Sequence, residues 1–481
     1  MEIGVGQLSF TFSFPEEGSK DGTQETEAIR PVWDNGSAAS IASAAARSKP
    51  ERKRKWHSLI DKVYSSRNLE SAWQHVAANR GAAGVDGTTI ARFAERAEER
   101  LTQLAEDLRK KSYRPQPVRR VTIPKSGGGE RPLGIPTVRD RIVQQALLQV
   151  LQPIFEAVFS TRSHGFRPER GCATALEVVE RALRYGYTWV VDADIQTFFD
   201  TVDHEKLLDA VNEEVADGSV LRLIRQILRA GVQLPQASQF EPTELGTPQG
   251  GPLSPLLANI YLNRLDWRMM QARYGLVRYA DDFVIFTKSE SEAAEALQLA
   301  REVLDGELGL KLHPEKTRVV SVDTGFEFLG FHYFRDPKTG ARCKEVRHKS
   351  VQRFRDAIRQ RTPRLRTQRR VKAKHATLSR LAGNQRLAQI IRSVNRFLRG
   401  WHWYFKSIRP QVTRFPDAGP FNPFDYFVRR RVRMAITGRV GSGWGTVRIT
   451  NNVLRRLGLQ PLAELHNWYQ QGQLGAPNRK D

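Results

Sequence analysis

Cysteine is scarce in this chain: Cys172 and Cys343 are too few and too far apart for a disulfide framework or a cysteine-type zinc site, which fits a reducing compartment. Long apolar runs are also missing. No stretch of about 18 apolar residues occurs, so a membrane partner is not expected. Acidic residues are nearly absent from the last third, where residues 341–481 carry 32 basic and 6 acidic side chains against 44 and 46 in residues 1–340. The whole formal charge of +24 therefore comes from one end of the chain. That end would repel itself strongly without a polyanion such as nucleic acid. The first 30 residues contain Phe and several acids, unlike a secretory or transit peptide. Residues 37–54 turn to Ser and Ala and then Arg and Lys, a flexible lead-in or a targeting remnant, and residues 1–50 are expected to be a flexible N-terminal extension.

What is present begins with helical spacing. Apolar residues from Trp56 to about Lys111 (Leu59, Val63, Leu69, Trp73, Val76, Phe93, Leu101, Leu104, Leu108) predict helices, interrupted by the turn-forming loop Gly81 to Gly87. A short strand, Val118 to Lys125, then leads into a glycine-rich hairpin with Lys125 and Arg131 at its ends. Such a loop either lets cations approach phosphates or is simply solvated. Residues 139 to 159 return to helix. The irregular, basic segment Ser163 to Cys172 follows, with Arg167 and Arg170, and is read as a contact to a nucleic-acid backbone or as a structural loop.

Acids then gather. In Thr188 to Asp200 the apolar start reads as a buried strand, with Asp192 and Asp194 on one face by period-2 geometry. Carboxylates at the end of such a strand need a compensating cation. Asp200 and Asp203 precede a helix and are read as caps. Gly246 to Pro255 contains Gln249 beside two glycines and opens a helix rich in Leu and Ala; it suits a planar or sugar-bearing ligand, or is a plain loop. Arg278 to Phe286 sets Asp281 and Asp282 at the turn of a hairpin between apolar strands. Taken alone this is either a metal site or a solvated turn. The order of strand, helix, two strands, helix and strand is the βαββαβ of a polymerase palm. Asp194, Asp281 and Asp282 would then hold two Mg²⁺ ions about 4 Å apart, hard oxygen ligands on a small octahedral ion.

With these motifs the chain resembles the reverse transcriptase and maturase proteins encoded by group II introns. The match runs through Asn68 to Trp73, Gly84 to Gly87, Arg131 to Pro136 with Asp140 and Arg141, Gly165 to Pro168, Asp194 to Asp200, Pro248 to Pro255, Tyr279 to Asp282, Pro314 to Thr317 and Phe328 to Gly330, covering about residues 56–334. The resemblance implies an α+β right-hand polymerase: fingers at 51–185, palm at 186–340, thumb and maturase domain at 341–410, and a basic nucleic-acid-binding region at 411–481. It implies that Asp194, Asp281 and Asp282 are the catalytic metal ligands, for Mg²⁺ with Mn²⁺ able to substitute, and places Ile195 with both the metal and the dNTP residues. Lys125 and Arg131 would grip the incoming triphosphate, Gln249 would line the dNTP pocket, and Phe199 would exclude a 2′-hydroxyl. Arg167, Arg170, Arg396, Arg399, Arg429, Arg430, Arg431 and Arg433 would contact RNA or DNA.

The partners so implied are group II intron RNA, template RNA, primer or target DNA and dNTPs, with a homodimer compatible. A bacterial, nucleoid-associated cytoplasmic setting is expected rather than an organelle. The tail after Trp468 is short and free of cysteine, as in members without an HNH endonuclease. Retron-type and diversity-generating enzymes share the acids but lack the long fingers extension and maturase region. A CRISPR-associated relative, a splicing factor with an inactive polymerase and an RNA-dependent RNA polymerase are the other readings. The intact acids count against the inactive protein, and Phe199 against the RNA polymerase.

Overall fold

The computed structural model describes residues 55–124, 130–233, 240–241, 244–248, 250–337, 340–364, 381–407, 420–437 and 449–472. The described residues fold as two compact units, divided between Ser321 and Val322. Helices and sheets are mixed in both, the expected α+β class. No helix among the described residues is long and apolar enough to cross a membrane.

The first unit starts with four helices, α1 (Ile60–Tyr64), α2 (Ser66–Ala78), α3 (Ile90–Ala94) and α4 (Ala97–Arg109), and a hairpin of β1 (Val118–Pro124) and β2 (Glu130–Ile135). Helix α5 (Val138–Glu156) begins where the Thr137 hydroxyl accepts from Asp140 N, and α6 (Cys172–Arg184) follows. Next come β3 (Trp189–Asp194), α7 (Phe198–Thr201), α8 (His204–Asn212), α9 (Gly218–Leu228), and the short strands β4 (Val232–Gln233) and β5 (Phe240–Glu241). Asp203 caps α8, accepting from Glu205 N and Lys206 N, as its position ahead of the helix predicts. Then follow α10 (Ser254–Gln271), β6 (Gly275–Tyr279), β7 (Asp282–Thr287) and α11 (Glu290–Arg301), which runs into a π-helical turn at Glu302–Leu308, and last β8 (Arg318–Ser321).

The order β3, helices, β6, β7, α11, β8 is the expected βαββαβ. The four strands form an antiparallel sheet in the spatial order β6-β7-β3-β8. Val191, Ala193, Phe283 and Ile285 point from one face of this sheet into the main core, which also takes residues of α1 to α11. On the other face the register pairs Val190 with Phe286, Asp192 with Val284 and Asp194 with Asp282. That face therefore runs from buried apolar side chains to half-buried carboxylates. A second sheet, β2-β1-β4-β5, joins the β1–β2 hairpin to β4 through a parallel pairing.

The second unit contains an antiparallel sheet of β9 (Phe326–Phe328), β10 (Phe331–Arg335) and β11 (Arg342–Val346). Its helices are α12 (His348–Arg361), α13 (Gln385–Phe405), α14 (Asn422–Thr437), α15 (Asn451–Arg456) and α16 (Leu462–Gln470). The aromatic run of α13 packs inside this unit: the Trp401 ring lies 4.7 Å from both Phe354 and Phe424 and 4.6 Å from Phe405. The buried Asp425 carboxylate accepts from Leu462 N at 2.7 Å and Ala463 N at 3.0 Å, so α14 holds the start of α16.

Candidate active site

The β6–β7 hairpin closes with Tyr279 paired to Asp282, which leaves Ala280 and Asp281 as its two-residue turn. Ala280 adopts a left-handed φ of +58°, a conformation that costs a non-glycine residue about 1–2 kcal/mol. Gly165 makes this turn fit, because a Cβ there would lie 2.5 Å from Ala280 N. Asp282 stands directly opposite Asp194 on β3, and side chains so paired share one face with Cβ atoms about 5 Å apart. The fold thus brings two of the three expected acids side by side and sets the third, Asp281, on the adjoining turn.

Two cations already address this face from the segment before and within β8. Lys316 Nζ donates to Asp194 Oδ2 at 2.6 Å, and Arg318 reaches Asp192 Oδ2 at 3.1 Å across the β3–β8 pairing. The Asp194 carbonyl also accepts from His313 N at 2.8 Å, wrapping the 311–318 segment around the end of β3. Ile195 follows in a bridge to Leu312 with its side chain in the core, so toward a ligand it has only its backbone to offer. Among the described residues, no three His, Cys, Asp or Glu side chains are drawn together as a ready metal-binding set.

Phe199 lies close by in sequence and is held by its backbone. Its carbonyl accepts from Thr247 N at 2.7 Å, and its ring sits edge-on to Phe198. Gly250 is in turn seated on β2: it has φ +124°, and a Cβ on it would lie 2.6 Å from Gly134 O. Glycine at both positions allows this close backbone approach. Lys125 and Gln249 themselves lie outside the described residues, as does the side chain of Arg131.

The basic residues separate into two groups. Arg167, expected at a nucleic-acid backbone, is instead buried: it forms an ion pair with Glu156 at 2.5 Å and donates to the carbonyls of Ser160 and Ser163. A guanidinium so enclosed holds the 160–167 loop to the end of α5 and has no face for a phosphate. Arg170 is more open and donates to Thr161 O. Neighbouring His164 is buried among Arg170, Arg167, Arg278 and Arg162; burial first and these charges second push its pKa down to about 3, so it is neutral.

In the second unit Arg431 donates to Thr362 Oγ1 and O at the C-terminal end of α12, where a cation suits the helix dipole. Arg433 donates to Ile449 O and Asn451 Oδ1, each at 2.7 Å. Arg399 donates to Gln460 Oε1. These three are ties within the fold, whereas Arg396 and Arg430 are exposed and Arg429 half-buried. The glycine-rich run at 441–445 lies outside the described residues.

Residues to which the sequence motifs assigned no role also shape the site. Lys316 is one. Arg278, Asp266 and Asn259 are others, a buried cluster beneath the turn. An arginine inside the mostly apolar strand Gly275–Tyr279 was the signal for it, since such a charge needs an enclosed partner.

A family model described as reverse transcriptase (RNA-dependent DNA polymerase) matches residues 123–333. The Escherichia coli protein YkfC is 37% identical over 291 residues, 52% of this chain and 76% of that protein. The group II intron-encoded protein LtrA of Lactococcus lactis is 42% identical over 205 residues, 42% of this chain and 33% of that protein. The mitochondrial nuclear intron maturase 1 of Arabidopsis thaliana is 38% identical over 94 residues, 20% of this chain and 13% of that protein. Among solved structures, a chain of a partial Cas6-RT-Cas1–Cas2 complex aligns at 26% identity with a TM-score of 0.33, covering 52% of this chain and 43% of that one.

Proposed function

Because this chain belongs to the reverse transcriptases encoded by group II introns, we propose that it copies RNA into DNA, and that it binds a group II intron RNA to assist splicing and target-primed reverse transcription. The observation that carries the polymerase reading is the pairing of Asp194 with Asp282 at the open end of the sheet, with Asp281 on the adjoining turn.

The donor set fits divalent ions of the Mg²⁺ type. All three side chains are hard oxygen donors, and the Lys316 ammonium on Asp194 marks a place where positive charge is welcome. Asp194, Asp281 and Asp282 would hold the ions, with the Ile195 backbone beside them. When bound, two such ions supply activation of the primer 3′-hydroxyl and stabilisation of the departing pyrophosphate.

The chain's own residues position the reactants. Lys125 and Arg131 grip the triphosphate, Gln249 lines the nucleotide pocket, and the Phe199 ring sits beneath the sugar and rejects a 2′-hydroxyl. Rate comes from orientation and electrostatics, with no covalent enzyme intermediate. Residues 51–185 serve as fingers, 186–340 as palm, 341–410 as thumb and maturase domain and 411–481 as the basic nucleic-acid-binding region. The exposed cations Arg396 and Arg430 and the partly exposed Arg170 and Arg429 contact RNA or DNA backbone.

Replacing Asp281 and Asp282 by Ala is the direct test. DNA synthesis on an RNA template should disappear while RNA affinity and thermal stability stay near those of the parent. Continued synthesis by the double variant would remove the assignment of these acids.

A further inference from the structure

Resting on the polymerase reading, we propose that Arg278 is the positioning residue of the carboxylate turn, acting through the carbonyl of Ala280, and that its buried partner Asp266 serves to hold it in that place. Arg278 is on β6, three positions before Asp281, and both it and Asp266 are fully enclosed. Its Nε and Nη2 donate to the two Asp266 oxygens at 2.7 and 2.5 Å. Asp266 thereby satisfies one edge of the guanidinium. The remaining nitrogen, Nη1, donates to Asn259 Oδ1 at 3.0 Å and to Ala280 O at 2.8 Å. Full burial obliges the second edge of the guanidinium to find acceptors as well. Here it ends on the peptide that joins Ala280 to Asp281.

That peptide is the hinge on which the acids depend. Ala280 is left-handed, so the direction of its carbonyl fixes where Asp281 and Asp282 leave the turn. The guanidinium holds the carbonyl side. On the amide side the Gly165 backbone lies too close to admit even a Cβ.

The same buried group ties these two clamps together. Asn259 Nδ2 donates to Gly165 O at 2.8 Å, its Oδ1 takes the bond from Arg278, and Ser163 Oγ donates to that same oxygen at 3.3 Å. Asn259 and Asp266 are two turns apart on α10, hence on one face of the helix. The Arg278 strand is anchored on its other side as well, where Arg278 N donates to Arg162 O and His164 N donates to Arg278 O, each at 2.9 Å. Helix α10, the 162–165 segment and the turn thus converge on one planar, forked cation. A lysine offers a single point charge and cannot address two edges at once.

A double replacement separates positioning from mere stability. Arg278→Met leaves Asp266 buried without its partner and should lower the melting temperature. The pair Arg278→Met/Asp266→Leu removes both charges, and exchange of a buried ion pair for apolar volume restores stability. It does not restore the donor to Ala280 O. The expected result is a melting temperature close to that of the parent, with kcat for DNA synthesis on an RNA template still reduced roughly tenfold or more. KM for dNTP should change by no more than about threefold. Hydrogen–deuterium exchange of the segment spanning Tyr279 to Asp282 should be faster than in the parent. Recovery of kcat together with the melting temperature would show a purely structural ion pair and overturn the proposal.

Arg278→Lys keeps the charge facing Asp266 and provides a second variant. It should fold, lose kcat and expose the turn to exchange; unchanged kcat and exchange would count against the proposal even if the double variant failed to fold. Should the parent protein make no cDNA at all, the polymerase reading falls. The turn is then judged on exchange alone, where undiminished protection in Arg278→Lys overturns the inference.

Discussion

The ammonium of Lys316 stands 2.6 Å from Oδ2 of Asp194, so the β3 carboxylate opposite Asp282 carries a counter-charge supplied by the chain itself. A divalent ion binding there competes with that ammonium for the same oxygen. Replacing Lys316 by Met should therefore tighten Mn²⁺ binding by the protein without nucleic acid, by roughly threefold or more, as read by titration calorimetry or electron paramagnetic resonance. Weaker or unaltered Mn²⁺ affinity would mean that the lysine does not compete for the site.

Phe199 is held at its backbone by the bond from Thr247 N to its carbonyl and at its ring by the edge contact with Phe198. Phe199→Val should open space beside the sugar. The ratio of kcat/KM for dNTP over rNTP should fall by about tenfold or more, measured on one RNA template. An undiminished ratio would put the sugar filter elsewhere.

The basic residues of α14 should divide by the bonds they make. Arg429→Ala/Arg430→Ala should weaken RNA binding and reduce the slope of log K against log salt by up to about 2, at little cost in stability. Arg431→Ala and Arg433→Ala each remove hydrogen bonds that tie α14 to the end of α12 or to the 449–451 segment. They should cost about 1 kcal/mol each in thermal or urea unfolding. If all four altered the salt slope alike and none altered stability, this division would be wrong.

Acid should loosen the second unit through one enclosed pair. His402 Nε2 lies 3.3 Å from His466 Nδ1, and burial, then His466 and Lys406, lower the His402 pKa to about 4. Because the unfolded chain takes up this proton near the ordinary histidine value while the folded chain resists it down to about 4, stability is fully present above about pH 6.5. It is lost as the pH falls toward 4. Between pH 7 and 5 the loss is about 2 kcal/mol. His402→Leu should flatten that part of the curve of melting temperature against pH, and a variant retaining the full slope would exonerate His402.

Much of this architecture was legible because local patterns carry it. The spacing from Leu59 to Leu108 becomes α1 to α4, the 139–159 run becomes α5, and the alternation at Asp192 and Asp194 does put both on one face of β3. What local patterns do not carry is pairing over distance. Arg167 in a glycine-bearing basic segment looks like a hand held out to a phosphate, but its charge is already met by Glu156 on the preceding helix. Arg431 and Arg433 sit in a run of arginines that reads as a surface, yet their targets are carbonyls at 362 and 449. For Arg278 the decisive partner is an aspartate 12 positions earlier on a helix, where it resembles any polar residue on a solvent face until the helix is docked.

The antiparallel sheet β6-β7-β3-β8 also has a consequence for synthesis of the chain. Strand β3 leaves the ribosome long before either of its neighbours, since β7 begins at Asp282 and β8 ends at Ser321. Asp194 therefore remains without its cross-strand acid until that later stretch has emerged, and every helix from α7 to α10 is made in the interval. Closing contacts of such sequence separation slows folding. A nascent polypeptide stopped before Asp282 has one half of the carboxylate pair and no turn, so the chemistry appears in one step with the closing of the sheet.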